Sequence, residues 1–189
     1  MGLKLVYEAD TEPVAVSEAK LHMRVDFTED DLLISNIIKA SSRKCEDYTR
    51  RAFMRQTWDY ILDEPTMDVI DIPRPPLIQI DGIFLTLQNN SEIELDMDKF
   101  ILDDISSPAR LKVKKSTKFP KYREMGAFRI RFTSGYNYIG ATERVPDPIK
   151  QAILLLTSHI YENREGQGDF IMLPPLVRVL LDPYRVWKL

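Results

Sequence analysis

Pro146-Asp-Pro-Ile-Lys-Gln-Ala-Ile-Leu-Leu-Leu-Thr-Ser-His-Ile-Tyr-Glu-Asn-Arg164 reads as a helix with a marked start and more apolar surface than one contact needs. Asp147 is placed to cap its N-terminus, and Pro148 suits the first helical position, where no N–H is required. At 100° per residue, Ile149, Ala152, Ile153, Leu156 and Ile160 form one stripe. Leu154 and Tyr161 share a second line, about a third of a turn away beside the charged positions. Either the helix is broadly buried in a core, or the second line is a contact surface.

Working outward, Ser17 is a plausible cap for a short helix to about Met23. Thr28, with Asp31 three residues on, caps a longer helix whose acidic first turn suits the helix dipole. Leu33, Ile34, Ile37, Ile38, Cys45, Tyr48 and Ala52 fall on its apolar face. From Thr57 to Leu62 the period changes to two, as in a half-buried strand. Leu77–Leu87 with a break near Asp81-Gly82, Glu92–Asp98, Lys99–Leu102, Arg110–Val113 and Phe128–Phe132 extend this to about five to seven short strands. Gly166 and Gly168 end the main helix, and Leu176–Leu181 forms a last helical segment. The expected class is α+β, with packing helices from both chain ends and an inserted antiparallel β-rich region. The parts are residues 1–53 (N-terminal helical), 54–136 (β-rich insertion) and 137–189 (C-terminal helical).

Charge is segregated along the insertion. Asp59 to Asp104 holds twelve carboxylates against Arg74 and Lys99, and Arg110 to Arg131 holds nine bases against Glu124. Three readings of the basic segment stay open: a solvated surface, a contact with a neighbouring subunit's acidic strands, or phosphate contact in a nucleic-acid packaging module using residues 110–131. A net charge of −3 argues against simple phosphate-driven binding by the whole chain.

No catalytic site emerges. Glu92, Glu94, Asp96 and Asp98 would share one strand face, but a hard cation needs oxygens converging from several elements, so a metal-dependent hydrolase ranks third. His22 and His159 lack partners in a known spacing, and Cys45 lies on an apolar helix face where an inert thiol is the default. We expect no enzyme activity, cofactor or metal. No apolar run reaches the ~20 residues that span a bilayer, so no membrane association is expected.

The order of several motifs resembles the head–tail connector (head-completion adaptor) proteins of long-tailed bacteriophages and prophages. Pro146 to Leu156 and Tyr161 to Glu165 match that family's helix, and Leu180, Leu181, Pro183, Tyr184 and Arg185 match its closing element. Phe128–Tyr136, Ile72–Leu77, Glu12–Lys20 and Arg24–Asp26 match earlier elements. The resemblance implies a homo-oligomeric ring, dodecameric when assembled, beneath the portal of a DNA-filled head. Its partners would be the portal protein and the next head-completion or tail protein, with DNA passing through the channel without sequence-specific binding. The implied location is the head–tail junction of the virion, after assembly in the host cytoplasm. By this analogy Leu180, Tyr184, Arg185, Trp187 and Leu189 dock on the portal, unless this tail packs back on its own domain. Leu154, Tyr161, Lys115, Lys118 and Arg123 are the expected subunit-interface residues.

Overall fold

The computed structural model describes residues 1–136, 144–163 and 173–187. Arg164, Glu165, Gly166, Gly168 and Leu189, which carried expectations above, lie outside them. The chain divides into two compact units, Met1–Ala9 with Arg55–Tyr138, and Asp10–Met54 with Ile139–Leu189. The class is α+β, as expected.

In the first unit, β1 (Gly2–Tyr7), β2 (Gln56–Leu62), β4 (Leu77–Thr86), β5 (Glu92–Leu95) and β8 (Phe128–Ser134) form an antiparallel sheet in the order β1-β2-β8-β4-β5. A second antiparallel sheet, β3-β7-β6, comprises β3 (Ile70–Asp71), β6 (Phe100–Asp103) and β7 (Arg110–Val113). Period-two alternation puts Trp58, Leu62, Ile83, Leu85, Phe128, Ile130 and Phe132 of one sheet into a single core with Ile70, Phe100, Leu111 and Val113 of the other. The Phe100 and Phe128 rings join the two layers at 6.1 Å between centroids.

Two strands were not foreseen. Residues 1–9 were assigned by sequence to the helical part, yet Gly2–Tyr7 pairs with β2 along an edge. Its pattern is mostly exposed, so it lacks the alternation that marks a half-buried strand. Strand β3 is only two residues long, below any periodic signal. Strand β4 runs unbroken through Asp81-Gly82, where a register shift against β8 absorbs the expected break. Strand β5 ends at Leu95, earlier than the alternation suggested, because the Asp96 carboxylate turns back to accept the Asp98 N–H at 3.0 Å and opens a 3-10 turn, Met97–Lys99.

In the second unit, α1 (Val16–Met23), α2 (Asp31–Thr49), α3 (Asp147–Glu162) and α4 (Pro175–Leu181) pack together. Ile34, Ile37, Ile38 and Cys45 of α2 and Ile149, Ala152, Ile153 and Leu156 of α3 are buried, whereas Leu33 is exposed and Ile160 half-buried. The caps differ from expectation. Ala15 takes the N-cap of α1, its N–H held by Glu18 Oε2 at 2.8 Å, and Asp30 precedes α2. Pro146 precedes α3, so Pro148 occupies the second helical position, where it also leaves no hydrogen bond unmade. At the end of α2, the buried Glu46 accepts from the Phe53 N–H at 2.7 Å and from Arg43 at 3.1 Å, fixing the turn that leaves the helix.

Gly82 is the glycine with a packing reason. A Cβ there would lie 2.8 Å from the Phe84 ring, which folds back over it and carries the Arg129 guanidinium at 4.0 Å. Replacing Gly82 with Ala must move that ring and loosen the stack, and we expect a loss of about 1–2 kcal/mol, read as a lower urea midpoint at unchanged slope.

Candidate assembly interface

Part of the charge segregation along the chain is resolved inside the first unit. The basic β8 lies beside β2, which carries Asp59, and one strand away from the acidic β5, with β4 between them. Asp59 on β2 accepts from Arg131 at 2.8 and 2.9 Å and from Arg129 at 3.3 Å. Arg129 reaches across Phe84 to Glu92 on β5, with Nε 3.1 Å from the carboxylate. Burial alone would raise the Asp59 pKa, but the hydrogen bond from Arg131 and the positive charges of both arginines outweigh it and hold the carboxyl below its ordinary value. Reading the segregation as a statement about partners alone is therefore corrected for Asp59, Glu92, Arg110, Arg129 and Arg131.

At the β6–β7 turn, Asp103 accepts from Arg110 at 2.6 Å, from the Ser106 hydroxyl at 2.8 Å and from the Ile105 and Ser106 N–H groups. These donors keep its carboxyl well below the ordinary range. Glu94 stays in line with Glu92, but Asp96 and Asp98 leave the strand, so the four carboxylates do not form the expected row. Among the described residues, no group of three or more His, Cys, Asp or Glu side chains is arranged to hold a metal ion.

Charges of both signs stay without an ion-pair partner among the described residues, Glu64, Asp68, Asp71, Glu94, Asp98 and Asp104 among the acids. Lys112, Lys114, Lys115, Lys118 and Lys121 are exposed without an ion-pair partner among the described residues. Of the three interface candidates here, Lys115 and Lys118 are free, while exposed Arg123 donates to the Gly126 carbonyl at 2.6 Å.

The candidates of the helical unit are placed as follows. Leu154 and Tyr161 are half-buried, and the Tyr161 hydroxyl donates to Asp30 at 2.6 Å, tying the end of α3 to the start of α2. After α4 the chain returns along the end of α2. The Arg51 guanidinium donates to the Tyr184 carbonyl at 2.6 Å, the Val186 N–H donates to the Thr49 carbonyl at 2.9 Å, and Tyr48 bonds Asp182. Arg185 sits between the Tyr48 and Trp187 rings at 5.0 and 4.2 Å. Leu180, Tyr184 and Arg185 are thus half-buried in their own unit, whereas Trp187 is 66% exposed. Leu176 and Val179, exposed on α4 at i, i+3 spacing, were missed. The signal was their spacing opposite the buried Val177 and Leu181.

Comparison with known proteins follows from this geometry. Residues 14–99 match the family model described as phage gp6-like head-tail connector protein. That match spans just under half of the chain. No curated protein sequence matches the chain significantly. Among solved structures, a chain in the neck of an empty GTA particle computed with C6 symmetry superposes with a TM-score of 0.82 at 20% identity, covering 100% of this chain and 97% of that one. A chain in the virion of a native gene transfer agent (GTA) particle gives 0.80 at 19% identity, with the same coverage. One in the neck of a native GTA particle computed with C12 symmetry gives 0.77 at 20% identity, again over 100% and 97% of the two chains. The fold, an α+β chain with a β-rich insertion, is thus shared with these chains over the whole length.

The arginine pair gives a pH prediction. Because the Asp59 pKa is lowered in the folded state, its contribution is complete above the unfolded value of about 4 and is lost as pH falls through the folded value. Asp59→Asn leaves two arginines facing each other, so stability at pH 7 should fall by about 3 kcal/mol, with a flatter acid limb in urea titrations at stepped pH.

Proposed function

We propose that this protein is a structural head–tail connector, a head-completion protein that forms a ring beneath the portal and joins the DNA-filled head to the tail. The family match over residues 14–99 carries this reading. The fold shared with chains from GTA necks supports it. The role is one of assembly and needs no chemistry from the chain.

The segment from α4 to Trp187 docks on the portal. Its support is a preformed platform: backbone hydrogen bonds hold Tyr184 and Val186 against α2, and Arg185 props the exposed Trp187 ring. Leu180, Tyr184 and Arg185 act by shaping that platform, with Leu176 and Val179 beside it. An aromatic held in place before binding loses little entropy when it is desolvated. Leu154, Tyr161, Lys115, Lys118 and Arg123 serve lateral contacts between copies of the ring. DNA passes through the channel without sequence-specific contact, and assembly takes place in the host cytoplasm.

Deleting the gene from its phage or inducible prophage should leave DNA-filled or leaked heads beside complete free tails in electron micrographs of the lysate. Normal virions would refute the role. Trp187→Ala should change unfolding stability by no more than about 0.5 kcal/mol, because the ring is largely exposed. The same variant should weaken portal attachment by about 2 kcal/mol per contact, counted as a smaller share of heads bearing tails.

A further inference from the structure

The outer face of the β3-β7-β6 sheet carries exposed aliphatic side chains among its charges. Ile101 on β6 lies opposite Lys112 on β7, and the alternation that buries Ile70 beside Leu111 puts Val69 on the other flank of Lys112. Ile101 and Val69 are 54% and 49% exposed. One step further along, the Lys114 N–H donates to the Lys99 carbonyl at 2.9 Å, so two lysines stand opposite each other across an antiparallel pair. Like charges in that position are destabilising, and no carboxylate among the described residues relieves them. The face thus presents two exposed aliphatics among three lysines, with the Arg110–Asp103 ion pair and the exposed Asp71 at its far end.

The helical unit carries a surface of the complementary kind. The Lys20–Asp31 ion pair, 2.6 Å long, joins α1 to the start of α2, and Leu21 and Leu32 flank it at 82% and 76% exposure. Glu18 stands three residues before Leu21 on α1, so that leucine shares its side with a carboxylate, and Glu29 is exposed in the turn that precedes α2. Asp26 is exposed in the connecting turn.

We propose that the basic, aliphatic face of one copy docks on the acidic, leucine-bearing α1–α2 corner of the next copy. The inference rests on the connector reading and adds one lateral contact to those proposed above. The two surfaces differ, so the contact is heterologous and propagates from copy to copy until a ring closes. Exposed leucines and isoleucines supply apolar area at its centre, and the lysine–carboxylate rim sets orientation. A second copy fits better than nucleic acid, because a phosphate backbone rewards the lysines and leaves Ile101 and Val69 unused.

The single natural cysteine, Cys45, is fully buried, and burial together with the neighbouring Glu46 pushes its thiol up to about 12, so introduced cysteines report without background. Incorporation of the natural chain into particles is checked first, and its absence would overturn the connector reading itself. A chain carrying both Ile101→Cys and Leu32→Cys, oxidised in assembled particles, should give a ladder of covalent multimers on a non-reducing gel. The second pair, Val69→Cys with Leu21→Cys, guards against a misplaced single cysteine. Normal incorporation with no ladder from either pair overturns this contact and leaves the connector role standing. Lys112→Glu with Lys114→Glu should lower incorporation about tenfold or more, and adding Asp26→Lys with Glu29→Lys should restore it. Unchanged incorporation accompanied by loss of packaged DNA would assign the lysines to phosphate and overturn the proposal.

Discussion

Strand β8 has a hydrogen-bonded neighbour on each side, and that position constrains the rest of the β-rich unit. A central strand satisfies its backbone completely but must split its side chains between two faces. Phe128, Ile130 and Phe132 go to the core and are fully buried, which sends Arg129 and Arg131 to the opposite face. Two guanidiniums on adjacent outward positions of a central strand need anions from other strands of the sheet. Asp59 on β2 and Glu92 on β5 supply them, with the Phe84 ring beneath Arg129 and Gly82 leaving room for that ring. Apolar burial and charge pairing therefore demand the same register, and a slip by one residue would defeat both at once.

The helical unit depends less on directional bonds and more on apolar stripes. The stripes of α2 and α3 are broad enough to meet each other while α1 and α4 cover their flanks. Polar groups act where the chain changes direction. Glu46 holds the exit from α2, Tyr161 reaches Asp30 at its start, and Arg51 with the Thr49 carbonyl holds the returning tail. Each of these bonds links residues far apart in sequence or anchors a turn, so they position the tail without enlarging the core. The surfaces available for assembly are what this economy leaves over: Leu21 and Leu32 at one corner, and Leu176, Val179 and Trp187 along α4 and its extension.

The helices and most strands were legible because each carries a long periodic signal. The stripe from Ile149 to Leu156 and the alternation from Phe128 to Phe132 need no tertiary knowledge. Strand β1 was not legible, because an exposed edge strand buries too little to impose alternation. The end of β5 was hidden for another reason: Glu92 to Asp98 alternates throughout, and only the Asp96 side chain competing for a backbone N–H stops the strand. Among the candidate site residues, Trp187 is as exposed as an anchor should be, whereas Tyr184 and Arg185 proved to be engaged with α2. Leu21 and Leu32 were passed over, because a leucine at helical spacing reads as core until the fold shows which side is covered.

By itself the sequence determined the α+β class, the order of the helices and of most strands, the buried inert cysteine and a motif order that resembles that of head–tail connectors. Those properties follow from period and residue order, which are local. The tertiary structure alone decided which charges neutralise each other and which stay exposed. Asp59 and Arg131 are 72 residues apart in the chain and 2.8 Å apart in the fold. Coulomb energy depends on distance in space, so a carboxylate block and a lysine block along the chain say nothing of their balance until strand order sets them side by side.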